Sequence, residues 1–270
     1  MCLILFSFQP ENNNRLLVLS NRDEFYARPS ERAECWTANS NPTILAGRDA
    51  AGGGTWLGVD IKRNRFAAVT NFRDGPSEPH AVRSRGSLPI DFLTSDMDSI
   101  QFLQKVHCEG SNYNGFNMIV FDGSTLAYQS NRSKEGPKKL GGGIYGVSNH
   151  LLDTPWPKVV KGKALLQKYL REHDDSDSFV PDASILDILL DRAKPPDDDL
   201  PDTGVGIELE REFSPLFVAI GSIQYGTRCS TLVVMDGNGP IAFVEKTLVP
   251  KGSHPDTVTF DFRRKNVASN

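Results

Sequence analysis

Apolar residues open the chain without a polar alternate at Leu3-Ile4-Leu5-Phe6 and return in the same way at Leu16-Leu17-Val18-Leu19. Short apolar runs bounded by turn residues read as strands, here over residues 3–8 and 16–20. The turn between them, Glu11-Asn12-Asn13-Asn14, is too short for a parallel crossover, so the two strands pair antiparallel. Strands with no alternation need cover on both faces, so helices must pack on this sheet. Further strands are predicted over residues 43–46, 55–60 and 65–71, then 116–121, 126–129, 144–148, 216–221, 230–235, 241–245 and 257–262. Asp236-Gly237-Asn238-Gly239 between two of them is a hairpin signal.

Helical spacing appears in three places. Asp96 or Asp98 can cap a helix that runs to Val106, with Ile100, Phe102, Leu103 and Val106 on its apolar side. Residues 158–171 carry Val159, Leu165, Leu166, Tyr169 and Leu170, and Asp182 can cap residues 184–192. The Pro- and Asp-rich stretch 194–206 has no apolar face and reads as a solvated loop. Strands, helices, then strands again predict an α+β layered fold, two antiparallel sheets packed together with helices outside. No linker divides the chain into complete halves, so residues 1–270 read as one domain.

Composition narrows the function classes. With 39% hydrophobic and 24% charged residues, the 270-residue chain can bury a large core. A net charge of −4 and the absence of a long basic run argue against nucleic acid as a partner. Four scattered cysteines with no Cys-x-x-Cys pair, and histidines without zinc spacing, fit a reduced intracellular compartment and no metal site. The apolar start is too short for a transmembrane span or a signal peptide, so a cytoplasmic location is expected.

Cys2 follows Met1, and removal of that methionine would leave a thiol and an α-amine on one residue. An amine with a reference pKa near ~8 can accept a thiol proton, which makes such a residue a nucleophile with its own base. Ser20-Asn21-Arg22-Asp23-Glu24-Phe25 sets a charged cluster directly after the second apolar strand, the one expected to pair with the Cys2 strand. Arg22 can then meet the thiol, favour thiolate and anchor a carboxylate, while Asp23 or Glu24 can orient an ammonium. Asn71 and Asn149 stand at predicted strand ends, where an amide can donate to an oxyanion or simply turn the chain. Arg228 precedes another apolar strand and is either an anion clamp or a solvated hairpin residue. Neither triglycine, Gly52-Gly53-Gly54 nor Gly141-Gly142-Gly143, continues into a phosphate-loop motif.

Several of these residues fall into motifs that resemble the NRDE family, that of the transport and Golgi organization protein 2 homologues. They are Met1-Cys2, Asn21-Arg22-Asp23-Glu24-Phe25 with Arg28-Pro29, Gly53-Gly54-Thr55-Trp56, Thr70-Asn71-Phe72, Tyr113-Asn114-Gly115-Phe116-Asn117, Tyr145-Gly146-Val147-Ser148-Asn149, Thr154-Pro155-Trp156 and Tyr225-Gly226-Thr227-Arg228. The resemblance implies a four-layer αββα sandwich of the N-terminal-nucleophile hydrolase type, with Cys2, Arg22, Asn71, Asn149 and Arg228 around the site. One departure stands out: the acylases of that fold place an Asp three residues after the Arg, where this chain has Phe25. The resemblance further implies Golgi organization and secretion, lipid and acyl-coenzyme A homeostasis, mitochondria and haem movement. It points to an anionic amphiphile, haem or an acyl-coenzyme A, held near Cys2 by Arg22, Asp23, Glu24 and Arg228. No cofactor is required, and haem would be an exchangeable ligand. The two other readings are a Cys2 amidohydrolase or thioesterase, and an interaction module in secretory traffic.

Overall fold

A computed structural model describes residues 2–36, 43–73, 75, 81–173, 181–248 and 256–262. The first half runs β1 (Cys2–Gln9), β2 (Arg15–Phe25), β3 (Ser30–Cys35), β4 (Ile44–Asp49), β5 (Leu57–Asp60), β6 (Arg65–Asn71), α1 (Ser87–Thr94), α2 (Ser99–Cys108), β7 (Phe116–Phe121) and β8 (Leu126–Ser130). The second runs β9 (Lys138–Lys139), β10 (Gly143–Val147), α3 (Pro157–His173), α4 (Ile207–Phe213), β11 (Ala219–Ile220), β12 (Tyr225–Asp236), β13 (Gly239–Thr247) and β14 (Asp256–Asp261), with a 3₁₀ segment Ala183–Leu190 before α4. All strand pairings are antiparallel, in one sheet ordered β10-β1-β2-β12-β13-β14 with β11 against β12, and a second ordered β3 through β9 in sequence.

Three cores give the layer order. Side chains of successive strand residues point to opposite faces, so β1 sends Ile4, Phe6 and Phe8 one way and Leu3 and Leu5 the other. The first set meets Leu45, Val59, Phe66 and Phe121 of the second sheet. The second set meets Trp156, Val159, Leu166 and the 3₁₀ residues Ile185, Leu186 and Leu189. On the far face of the second sheet, Ala67, Val69, Met118 and Val120 pack on α1 and α2 through Leu88, Phe92, Phe102 and Leu103. The result is the expected four-layer αββα arrangement, and the unbroken apolar runs of β1 and β2 are explained by a core on each side. Each fully buried Leu or Phe contributes about 1.5–3 kcal/mol.

Local signals behave as their chemistry dictates. Asp98 caps α2 in a reciprocal box with Gln101, and Asp182 caps the 3₁₀ segment by accepting from the Ser184 amide. Gly237-Asn238 forms the hairpin loop, since Asp236 pairs with Gly239. Four strands and helices were not predicted: β3, β9, α1 and α4. A correction also falls on the charged segment, because β2 does not stop at Ser20 but continues through Phe25, so Asn21–Phe25 lies within the strand and not after it. Pairing with β12 on one side satisfies that extension as far as Tyr225 and Phe25.

Candidate functional site

Register brings the chemistry together. Cys2 pairs with Arg22 across β1 and β2, and Cys229 of β12 pairs with the same Arg22 from the other side. Neighbouring strands lie about 4.8 Å apart, so the two Cα atoms stand about 10 Å from each other, beyond the span of a disulfide. Both thiols are free. A pocket of about 150 Å³ opens at this end of the sandwich, and Cys2, Arg22, Arg28, Asp49, Trp56 and Asn71 line it.

The pocket walls follow from sequence. Gly54 has the Gly86 carbonyl 2.1 Å from where a Cβ would stand, so the Gly-rich turn can lie against residues 84–86 only with glycine there. The Thr55 amide donates to that same carbonyl at 3.0 Å. Trp56 then carries the Arg22 guanidinium 4.2 Å above its ring. Arg22 is almost fully buried, donates to Ser30 Oγ at 3.3 Å and lies 3.5 Å from Asp49 Oδ2. Arg28 Nε donates to that same oxygen at 2.8 Å and lies 3.9 Å from Glu24. Burial works to raise the Asp49 pKa, but hydrogen bonds from Arg28 and the Gly52 amide prevail and hold it below the usual carboxylate value.

Cys2 itself is 9% exposed. Burial pushes its thiol above the ordinary value, the Asp23 charge adds to this, and Arg22 works against it. Met1, whose removal the nucleophile reading requires, lies outside the described residues.

The other expected site residues are distributed unevenly. Asn71 lines the pocket. Asn149 is 0% exposed, and its amide donates to the Asn71 carbonyl at 2.9 Å. It belongs to a chain that ties the two sheets at the pocket end. Ser148 Oγ donates to the Cys2 carbonyl at 3.1 Å, Thr70 Oγ1 donates to the Ser148 carbonyl at 2.6 Å, and Asn117 Nδ2 donates to Thr70 Oγ1 at 3.1 Å. The Thr-Asn and Ser-Asn motifs are therefore staples. Arg228 is the extra residue where β12 shifts register against β2. Its guanidinium donates to the carbonyls of Phe25 at 2.8 Å and Arg28 at 3.0 Å, fixing the turn that presents Arg28 to the pocket.

Asp23 and Arg22 are sequence neighbours on opposite faces of β2. Arg22 follows Leu16 and Val18 toward the second sheet, whereas Asp23 follows Leu17 and Leu19 toward the helices. There its Oδ1 accepts from Thr227 Oγ1 at 2.7 Å, while the Tyr225 hydroxyl donates to its backbone carbonyl at 2.8 Å. Burial raises the Asp23 pKa, and Lys158 of α3 opposes that. Lys158 itself is 4% exposed, and burial lowers its pKa to about 8. On the same side Arg73 donates to Glu210 at 2.6 Å and stacks on Trp156 and Phe213. Sequence reading passed over Asp49, Lys158, Arg73 and Glu210; only Arg28 and Trp56 fell inside a motif.

Among the described residues no group of three or more His, Cys, Asp or Glu side chains can hold a metal ion. No helix among them is long and apolar enough to cross a membrane.

Comparison with known proteins adds the family. Among solved structures, a Caenorhabditis elegans N-acylethanolamine-hydrolyzing acid amidase ortholog is distantly similar, with a TM-score of 0.43 and 9% identity over 86% of this chain and 92% of that one. The Transport and Golgi organization protein 2 of Drosophila melanogaster is 28% identical over 94% of both chains. The Mus musculus Transport and Golgi organization 2 homolog is 39% identical over 97% of this chain and 99% of its own length, and the Homo sapiens homolog is 38% identical with the same coverage. The family model described as Transport and Golgi organisation 2 matches residues 1–250, and the chain belongs to that family.

Proposed function

We propose that the pocket around Cys2 binds the anionic head of an acyl amphiphile, a fatty carboxylate or an acyl-coenzyme A, and that the protein carries such a ligand within the cell, in the cytoplasm or at a mitochondrial or Golgi surface. The observation that carries this reading is the concentration of guanidinium groups at the thiol. Arg22, Arg28 and Arg85 line the pocket with Cys2, beside the carboxylates of Glu24 and Asp49 and next to Asp23. Arg22 and Arg28 share one Asp49 oxygen. An incoming carboxylate or phosphate would share these guanidinium donors with Asp49, and arginine matches either anion with paired donors.

Size restricts the ligand. The pocket, open to solvent, has a volume of about 150 Å³, below the roughly 300–1,000 Å³ of pockets that enclose a drug-sized molecule, so a head group fits while a long tail stays outside. A haem macrocycle exceeds this space, and the polar lining does not match its apolar faces. Haem would have to be held at the rim through its propionates.

Trp56 provides the readout, since it lines the pocket beneath Arg22. Titration with palmitoyl-coenzyme A, palmitate and haemin should give a saturable change in tryptophan fluorescence with at least one acyl ligand. Arg28→Ala should weaken that binding about tenfold, the size of one charge-assisted contact. Absence of saturable binding of either acyl ligand, or binding unchanged by Arg22→Ala together with Arg228→Ala, rules the reading out.

A second reading is acyl transfer, favoured by Asn71 lining the same pocket as Cys2. With Met1 removed, the thiol adds to an amide or thioester carbonyl, the α-amine accepts its proton, and Asn71 donates to the oxyanion. The leaving amine or thiol departs with that proton, and water releases the acyl group. Intact-mass spectrometry decides between the two readings: a retained Met1 leaves the reaction without its base. A processed chain that gains one acyl mass, and does not as Cys2→Ala, establishes the enzyme.

A further inference from the structure

On the helix side of the sheet, at the end where β1 begins, lies a buried charged cluster that meets the pocket only at Asp23. The sheet-facing stripe of α3 is Lys158, Val159, Gly162 and Leu166. Gly162 brings α3 down onto β1, where an added Cβ would stand 2.6 Å from a Leu5 methyl. Lys158 is one helical turn earlier on that same face, so its side chain enters the layer between α3 and the sheet. Its Nζ is buried and has no hydrogen-bond partner among the described residues. A buried ammonium without one is costly, and its natural counter-charge is the Asp23 carboxylate, which reaches the same layer from β2. Cys2 of β1, Arg73 following β6 and Glu210 of α4 complete the charged and titratable groups facing Lys158, with Tyr225 of β12 behind Asp23.

We propose that Lys158 is a positioning residue of the Cys2 site: set in the same buried layer as Asp23, behind the strand end that carries the thiol, its ammonium offsets the Asp23 charge and so governs how readily the Cys2 sulfur ionises. The proposal rests on the reading of Cys2 as the reactive centre of the pocket. Asp23 alone opposes the thiolate and Lys158 alone favours it. While Lys158 holds its proton, the pair is nearly neutral toward the sulfur. Once the amine loses that proton, the carboxylate acts uncompensated and thiolate becomes harder to form.

The experiment follows carbamidomethylation of Cys2 by iodoacetamide, at peptide level, from pH 6.5 to 9.5. Each variant is read as a ratio to the wild-type rate, so that the amino terminus, which titrates in both, cancels. Lys158→Met is expected to react at least about threefold more slowly near pH 7.5, the effect of one nearby charge in a protein interior. Its ratio should climb back toward one above pH 9, where the wild-type amine is also neutral. Asp23→Asn with Lys158→Met removes both charges and keeps the fold testable if the single variant is unstable. It should start near one at pH 7 and rise above one beyond pH 8.5. A ratio that stays constant with pH in the double variant overturns the proposal. Because thiol alkylation needs no bound amphiphile, a pocket that binds no acyl ligand leaves this result standing and removes only the functional reading beneath it.

Discussion

On the sandwich side of β2, Arg22 and Arg28 share Asp49 in a pocket open to solvent; on its helix side, Asp23, Lys158, Arg73 and Glu210 are sealed beneath α3 and α4. The two clusters begin at adjacent residues, Arg22 and Asp23, and differ because a strand alternates its side chains between faces. Water at the pocket rim screens charge and leaves an ion pair worth little, whereas removing one partner from a closed cluster strands the other. Ligand affinity is therefore governed from the open face and stability from the closed one.

The largest effect expected from this contrast is on the closed side. Glu210→Ala removes the carboxylate that accepts from the buried Arg73 at 2.6 Å, and urea unfolding should show a loss of about 3–5 kcal/mol. A loss comparable to that of a surface pair would mean that this face is wet.

Lys158 gives the next effect, through pH. Its folded pKa of about 8 lies below the ordinary value of 10.5, so between these values the unfolded chain binds a proton that the folded chain does not. Stability from this group is thus lowest below pH 8 and rises as pH climbs toward 10.5, by at most about 3 kcal/mol. Burial raises the pKa of both Cys2 and Cys229, which acts in the opposite sense, so the quantity to measure is wild type minus Lys158→Met. A difference that is flat from pH 8 to 10 contradicts the assignment.

Arg228→Ala takes two charged hydrogen bonds from the carbonyls of Phe25 and Arg28 and is expected to cost about 1–3 kcal/mol. It should also weaken acyl-ligand binding, because the turn bearing Arg28 loosens. The smallest change in stability is expected from Arg28→Ala. This residue is more than a third exposed, so its pairs with Asp49 and Glu24 should account for less than about 1 kcal/mol of stability, even where ligand affinity falls tenfold. Stability and binding measured on these two arginines separate a residue that shapes the pocket from one that meets the ligand.

What could be read in advance depended on how local each signal was. The apolar runs of β1 and β2 announced helices on one face and a second sheet on the other, and Asp98 and Asp182 cap where expected. β3 escaped because Ser-Glu-Arg-Ala-Glu-Cys buries only Ala33 and shifts register between Glu31 and Glu34, which is how a polar edge strand reads. α1 escaped because Gly86 supplies no side-chain cap and Pro89 interrupts the spacing. The charged run 21–25 reads as lying beyond the strand because charges at a strand end usually meet water, yet β2 continues through it and β12 pairs with it. At the site, Cys2 and Arg22 were legible as partners from one short turn. Asn149 and Arg228 were legible as positions of interest, but not as a staple and a turn clamp.

The sequence by itself determined most of the strands, the first antiparallel hairpins, the need for a core on each face of β1 and β2 and the meeting of Cys2 with Arg22, since all of these follow from periodicity and turns a few residues long. Only the tertiary structure decided that Asp23 turns away from Arg22 toward Lys158, that a one-residue bulge aims Arg228 at the turn before β3, and that Asp49 is shared by two arginines. Those outcomes depend on strand register and on contacts between distant segments. No local pattern encodes them, because the partners come from stretches of chain that meet only after the layers have packed.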